Sequence, residues 1–306
     1  MPTRRQFVQY TAMLSAAASW GSLMSPLAFA AQPLLQRKIP ASGEQLPAIG
    51  LGTSQTFNVD PASADMAPLR DVLRAFVDGG ARVIDTAPSY GRAEQVTGDL
   101  VNQAGARDKV FLASKVSATG REAGMRQIEA SFKALQTDRI DLIQVHNLQD
   151  TRTQLALLRE LKAQGRIRYI GVTHYVGSAH DELLAVLKKE PVDFVQVNYS
   201  IGARNAERTL LPYCADHGIA TLINRTFEAG RLFAKVKGRA LPEWAAAELD
   251  ASSWAQLMLK FVLANPAVTT VIPATSQPRY VLDNLLAGQG RLPDAGQLQR
   301  IAAEFA

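Results

Sequence analysis

Short apolar, β-branched runs alternate with longer segments of helical period along nearly the whole chain, and no other feature of the sequence narrows the fold as much. The runs fall at 48–51, 82–85, 110–114, 140–145, 167–172, 194–197, 220–223 and 269–272. Between and after them lie amphipathic stretches at 67–78, 93–103, 123–135, 153–163, 178–189, 206–217, 252–264 and 278–287. Strict alternation of this kind predicts a parallel sheet with right-handed crossovers, because a strand feeding a helix returns to its sheet in that hand. Alternation alone suits both a closed barrel and an open doubly wound sheet. Eight units in about 250 residues favour the barrel. No Pro/Gly/Ser linker interrupts the series, so the expectation is an α/β fold, a single-domain (β/α)8 TIM barrel over residues 31–306.

The first thirty residues stand apart from that pattern. Thr3-Arg4-Arg5-Gln6-Phe7-Val8 carries the paired arginines of a twin-arginine signal, and a weakly apolar run follows from 12 to 29, broken by Gly21 and Pro26. It ends in Ala28-Phe29-Ala30 before Ala31, the small-x-small pattern that a signal peptidase reads. The run is too rich in Ala and Ser, and too poor in Leu and Ile, to hold in a bilayer. The expectation is a cleaved signal at 1–30, passage through the twin-arginine translocase, a periplasmic or other extracytoplasmic location, and no stable membrane insertion after cleavage.

The 306-residue chain is 47% hydrophobic and 20% charged, as in an ordinary globular protein. Its net charge of +5 comes from basic residues interleaved with acids, without the stripe that nucleic-acid binding needs. Cys214 is the one cysteine, which rules out an intrachain disulfide and reads as a small core residue.

Catalytic groups of such a barrel sit where strands end and the next loops begin. The second predicted strand ends at Asp85, and the loop after it reads Thr86-Ala87-Pro88-Ser89-Tyr90-Gly91. The third runs into Lys115 and the fourth into His146. Each residue alone has an ordinary explanation: a turn cap, an outward-reaching lysine, a packed tyrosine, a surface histidine. Their joint arrival at one rim argues for chemistry. No metal-ligand cluster or paired carboxylates compete with them, which disfavours a hydrolytic barrel.

The quartet Asp85, Tyr90, Lys115 and His146 resembles the active-site tetrad of the aldo-keto reductases in order and spacing. Gly50-Leu51-Gly52-Thr53 at the first strand end fits the same family. So do the segments 166–172, Val195-Gln196-Val197-Asn198-Tyr199, and Val271-Ile272-Pro273 followed by Asp283-Asn284-Leu285. The likeness runs over about residues 37–287. It implies reduction of a small aldehyde or ketone, the nicotinamide cofactor bringing a hydride and the protein a proton. Tyr90 would be the general acid. Lys115 would make it more acidic, Asp85 would orient Lys115, and His146 would point a donor at the carbonyl oxygen.

The resemblance also implies a cofactor shelf of Gly52, Thr53, Asp85, Thr173, His174, Gln196, Asn224, Arg225, Ala274, Thr275, Ser276, Arg279, Asp283 and Asn284. Three places depart from the family pattern. Thr173-His174 stands where many members carry Ser-Asn, and Asn224 stands where an aromatic stacks on the nicotinamide. Ala274 replaces a lysine for the 2′-phosphate. Arg279 and the helix start at Pro278 remain as phosphate-binding groups, so NADP(H) is expected over NAD(H). The short stretch 147–150 predicts a shallow, open pocket walled by Phe57, Leu148 and Tyr175. Export sets this reading against a second one, a cofactor-binding sensory or accessory protein with little turnover.

Overall fold

The computed structural model describes residues 33–306, and the expected signal at 1–30 lies outside the described residues. A hairpin comes first: β1 (Gln36–Lys38) pairs antiparallel with β2 (Gln45–Pro47). Eight parallel strands follow in sequence order around one sheet: β3 (Leu51–Gly52), β4 (Val83–Asp85), β5 (Phe111–Val116), β6 (Ile140–His146), β7 (Ile167–Thr173), β8 (Phe194–Asn198), β9 (Ala220–Asn224) and β10 (Thr270–Val271). Parallel bridges Ile49–Val271 and Gly52–Ala274 join the two ends of the sheet, giving the (β/α)8 barrel that the number of alternating units favours.

Helices α1 (Met66–Asp78), α2 (Ala93–Gln103), α3 (Arg121–Leu135), α4 (Thr151–Ala163), α5 (His180–Leu187) and α6 (Leu210–Asp216) follow β4's predecessor through β8 in turn. Two short helices, α7 (Arg231–Lys235) and α8 (Glu243–Leu249), were not expected; they precede α9 (Trp254–Leu263), and α10 (Pro278–Leu286) and α11 (Ala295–Ala303) complete the set. The first barrel strand lies later than the expected 48–51, and the hairpin before it was not anticipated either. Its Ile39 and Leu46 are fully buried against Val83, Phe111, Leu142, Tyr169 and Phe194, so the hairpin stoppers the end of the barrel where the strands begin.

The period of two along each strand positions the site. Inward positions read Phe111, Ala113, Lys115 on β5 and Leu142, Gln144, His146 on β6. They change from apolar at the hairpin end to polar at the strand ends, and β4 (Val83, Asp85), β8 (Phe194, Gln196) and β9 (Leu222, Asn224) do the same. The alternate positions, such as Leu112, Ile143, Val145, Ile170 and Val195, face the helices in the larger apolar core. One end of the barrel is therefore a greasy plug and the other a polar cup.

Candidate active site

Lys115 sits at the centre of the cup, 1% exposed. Its Nζ donates to Asp85 Oδ2 at 2.7 Å and to the Thr86 carbonyl at 2.8 Å, and lies 4.9 Å from the centre of the Tyr90 ring. Burial pulls the lysine's proton affinity down. The charge of Asp85, the Tyr90 phenol and their hydrogen bonds outweigh it, and the net shift is upward. The ammonium therefore stays charged although no water reaches it. Asp85 is 2% exposed and fully engaged: Gln196 Nε2 donates to Oδ1 at 2.8 Å and Gln144 Nε2 to the same oxygen at 3.3 Å. Its backbone carbonyl accepts from both the amide and the hydroxyl of Thr53 at 3.0 Å, which ties the β4 end to β3.

Tyr90 is half-buried on the loop after β4, and His146 stands beside it at the end of β6. The rings meet edge to face with centres 6.0 Å apart. Ser89 Oγ lies 3.4 Å from His146 Nδ1. Burial first, then the charge of Lys115 and the neighbouring His174, lower the His146 pKa to about 4. At neutral pH the ring is uncharged and carries one N–H. The four tetrad residues are thus brought together at one rim.

Beside them the expected cofactor residues form a second arc. Gln196 Oε1 accepts from Thr173 Oγ1 at 3.2 Å and from Asn224 Nδ2 at 3.3 Å, so a continuous hydrogen-bonded row runs Asn224, Gln196, Asp85, Lys115 across four strands. Asn224 Oδ1 is buried and has no hydrogen-bond partner among the described residues. His174 Nδ1 accepts from the amides of Tyr175 and Val176 at 3.1 and 3.3 Å, which puts its ring proton on Nε2. Arg225 is exposed, has a φ of 54°, and lays its guanidinium 4.9 Å from the exposed Tyr175 ring. Arg279 is likewise exposed, stacked at 4.7 Å on Tyr280. Among the described residues neither guanidinium meets a carboxylate. Two cations without a carboxylate partner among the described residues, on the segments that follow β9 and β10, and a buried amide acceptor at the end of β9 are groups that can meet the phosphates and the carboxamide of a dinucleotide.

Other expected residues are placed differently. Both carboxylate oxygens of Asp283 accept from the start of α9, from Ser253 Oγ at 2.8 Å and Gln256 Nε2 at 2.7 Å, so Asp283 anchors one helix to another. Thr275 Oγ1 accepts the Gln277 amide at 3.0 Å, Ala274 is held in the bridge to Gly52, Ser276 is half-buried, and Asn284 lies buried in α10. Phe57 requires a correction: it is 1% exposed within the larger apolar core and offers no face to the mouth. Leu148 and Tyr175 do stand at the rim, Leu148 with a φ of 58° in a loop whose Asn147 and Asp150 are also left-handed. Sequence reasoning missed Gln144, although it lies two residues before His146 and so on the same inward face. It also missed Glu94, which accepts the Ser114 hydroxyl at 2.5 Å behind Lys115.

Comparison with known proteins agrees with this arrangement. Residues 48–303 match the family model described as "Aldo/keto reductase family". The methylglyoxal reductase YeaE of Escherichia coli is 33% identical over 261 residues, 81% of this chain and 88% of that one. The aldo-keto reductase YhdN of Bacillus subtilis is 32% identical over 213 residues, 65% of this chain, and the match spans 63% of the length of that protein. Among solved structures, an aldo/keto reductase from Klebsiella pneumoniae in complex with NADP and acetate superposes with a TM-score of 0.74 at 28% identity, covering 90% of this chain and 95% of its own.

Proposed function

The chain belongs to the aldo/keto reductase family, and on that premise we propose that this oxidoreductase reduces small aldehydes or ketones to alcohols with Tyr90 as the proton donor. The observation that carries the reading is the fully buried Lys115 ammonium held between the Asp85 carboxylate and the Tyr90 ring at the open end of the barrel. A dihydronicotinamide dinucleotide supplies the hydride when bound. Every other part of the step belongs to the protein. The Tyr90 hydroxyl gives its proton to the carbonyl oxygen as charge develops there, and the ammonium beside it stabilises the phenolate left behind. Asp85 holds that ammonium in place. His146, neutral at working pH, offers an N–H to the same oxygen when its ring proton is on Nε2, and Ser89 Oγ can then donate to Nδ1.

Thr173, Gln196 and Asn224 would hold the carboxamide, and Arg225 and Arg279 the phosphates. The guanidinium of Arg279 favours NADP(H) over NAD(H), as does the NADP in the Klebsiella relative. The shallow rim suits a small carbonyl compound, with methylglyoxal the first to try given the reductase YeaE. Residues 1–30 serve in this reading as a twin-arginine export signal, and the working location is periplasmic or otherwise extracytoplasmic.

Tyr90→Phe tests the chemistry. It should lower kcat with methylglyoxal and a panel of aldehydes by at least about a hundredfold, the usual worth of a general acid. Cofactor binding, followed by quenching of protein fluorescence, should stay within a few-fold. Activity retained within tenfold of the parent would remove Tyr90 from the role. Tight cofactor binding with no turnover of any aldehyde by the parent chain would favour the sensory reading instead.

A further inference from the structure

One polar side chain inside the cup has no part in the chemistry above. Gln144 stands opposite Lys115 in the β5–β6 register and two residues before His146, so it faces the barrel interior. It is completely buried. Its Nε2 meets Asp85 Oδ1 at 3.3 Å, the oxygen that Gln196 also reaches, while Oδ2 carries Lys115. The amide cannot be turned over, because its carbonyl would then face a carboxylate. In the orientation it has, Oε1 is buried and without a hydrogen-bond partner among the described residues. Buried amide oxygens ordinarily find a donor. A leucine would fill similar space and strand nothing, so packing gives no reason for a glutamine here. The N–H on Asp85 does.

We propose that Gln144 is a positioning residue for the proton transfer: its amide dipole keeps the Asp85 carboxylate ionised and turned to Lys115, and so sets the pH at which the Lys115–Tyr90 pair loses its proton. The charged and titratable groups around that pair are Asp85 on β4, His146 on β6 and Glu94 on α2, with His174 after β7 next to His146. Gln144 donates to Asp85 alone among them. The positive end of its dipole points into the cluster. Deleting it makes the local potential more negative and raises the proton affinity of every member. Lys115 touches both Asp85 and Tyr90, so a shift read in the variant is assigned to the pair and not to either residue.

The test uses Gln144→Leu and, should that variant fold poorly, Gln144→Met, with thermal unfolding to show that each is native. Two readouts are followed. The first is the alkaline limb of kcat/KM against pH, with methylglyoxal as probe. The second is the ultraviolet tyrosinate signal that Tyr90→Phe removes in the same background. Both should move to higher pH by roughly half a unit to one unit, part of what a hydrogen bond to a charged group is worth. A fall in kcat with both midpoints unmoved, or a movement to lower pH, overturns the proposal. Only the kinetic readout rests on the reductase reading. If the parent turns over no aldehyde, that reading fails by itself and the tyrosinate signal still decides the role of Gln144.

Discussion

A lysine with no water around it is stable only because every proton on its nitrogen has somewhere to go, and Lys115 meets Asp85 and the Thr86 carbonyl within hydrogen-bond reach and the Tyr90 ring close by. Removing one partner of such a pair strands the other. Lys115→Met should therefore abolish turnover and cost about 3–5 kcal/mol of stability, since it leaves an unpaired buried carboxylate. Adding Asp85→Asn to the same chain should recover much of the stability and none of the activity. Urea unfolding of the two single variants and the double variant measures the coupling, and purely additive losses would contradict a strong pair. His146 supplies a prediction in pH. Its folded pKa of about 4 lies below the ordinary value of 6.5. The contribution is complete above pH 6.5, falls as pH drops from 6.5 to about 4, and levels below that. Partial exposure reduces the full linkage value to about 2 kcal/mol. The stability difference between parent and His146→Gln should shrink by that amount across the window; a flat difference would count against a neutral ring. At this scale the tetrad was legible, because strand ends next to ionisable residues announce themselves. The hydrogen bonds of Gln144 and Gln196 to Asp85 were not, because each joins residues that only barrel closure brings together.

Among the elements, the long strands β5 to β8 and the helices between them were legible from periodicity, and the shortest pieces were not. Strands of two or three residues, such as β1, β2, β3 and β10, are too brief to display a period of two. Pairing makes them strands, and pairing is not local. Helices α5 and α6 are shorter than their apolar patterns because each is entered through a tighter turn, at Gly177–Ala179 and Asn205–Glu207. The seam between β3 and β10 shows how little room pairing leaves. A Cβ on Gly52 would lie 2.7 Å from the Ile272 carbonyl, which is backbone and cannot rotate away. Gly52→Ala should then cost about 1–3 kcal/mol, the usual range for overpacking, and reduce cofactor affinity through the displaced Ala274. An unaltered unfolding midpoint would show that the seam yields more easily than its contacts indicate. Helix α10 carries the test of cofactor choice. If Arg279 holds the 2′-phosphate, Arg279→Ala removes a charge-assisted hydrogen bond worth roughly 1.5–3 kcal/mol. NADPH binding should weaken about ten- to a hundredfold while NADH binding barely changes. Ala274→Lys should tighten NADPH selectively. Equal losses for both cofactors would assign Arg279 to the shared part of the dinucleotide or to the fold.

At the scale of the whole molecule, the polar cup and the apolar stopper are two ends of one barrel, and among the described residues no helix is long and apolar enough to cross a membrane. The proposal of export rests on Arg4 and Arg5, the weakly apolar run at 12–29 and the small-x-small site Ala28-Phe29-Ala30. Replacing both by lysine keeps the charge and removes the paired guanidinium groups that the transport receptor reads. The precursor should accumulate in the cytoplasm on fractionation, and undiminished periplasmic protein would point to another route. The seam bears on the same question. Its hydrogen bonds, Gly50 to Val271 and Gly52 to Pro273, join the first barrel strand to the last. A ribosome delivers those two segments at nearly opposite ends of synthesis, so the early strand must wait, one edge bare, until almost all of the barrel has been made. Machinery that threads an unfinished chain through a membrane would part the two sides of the seam before they had ever met. A gate that admits only finished bodies would let the barrel close, and fill its cup, first.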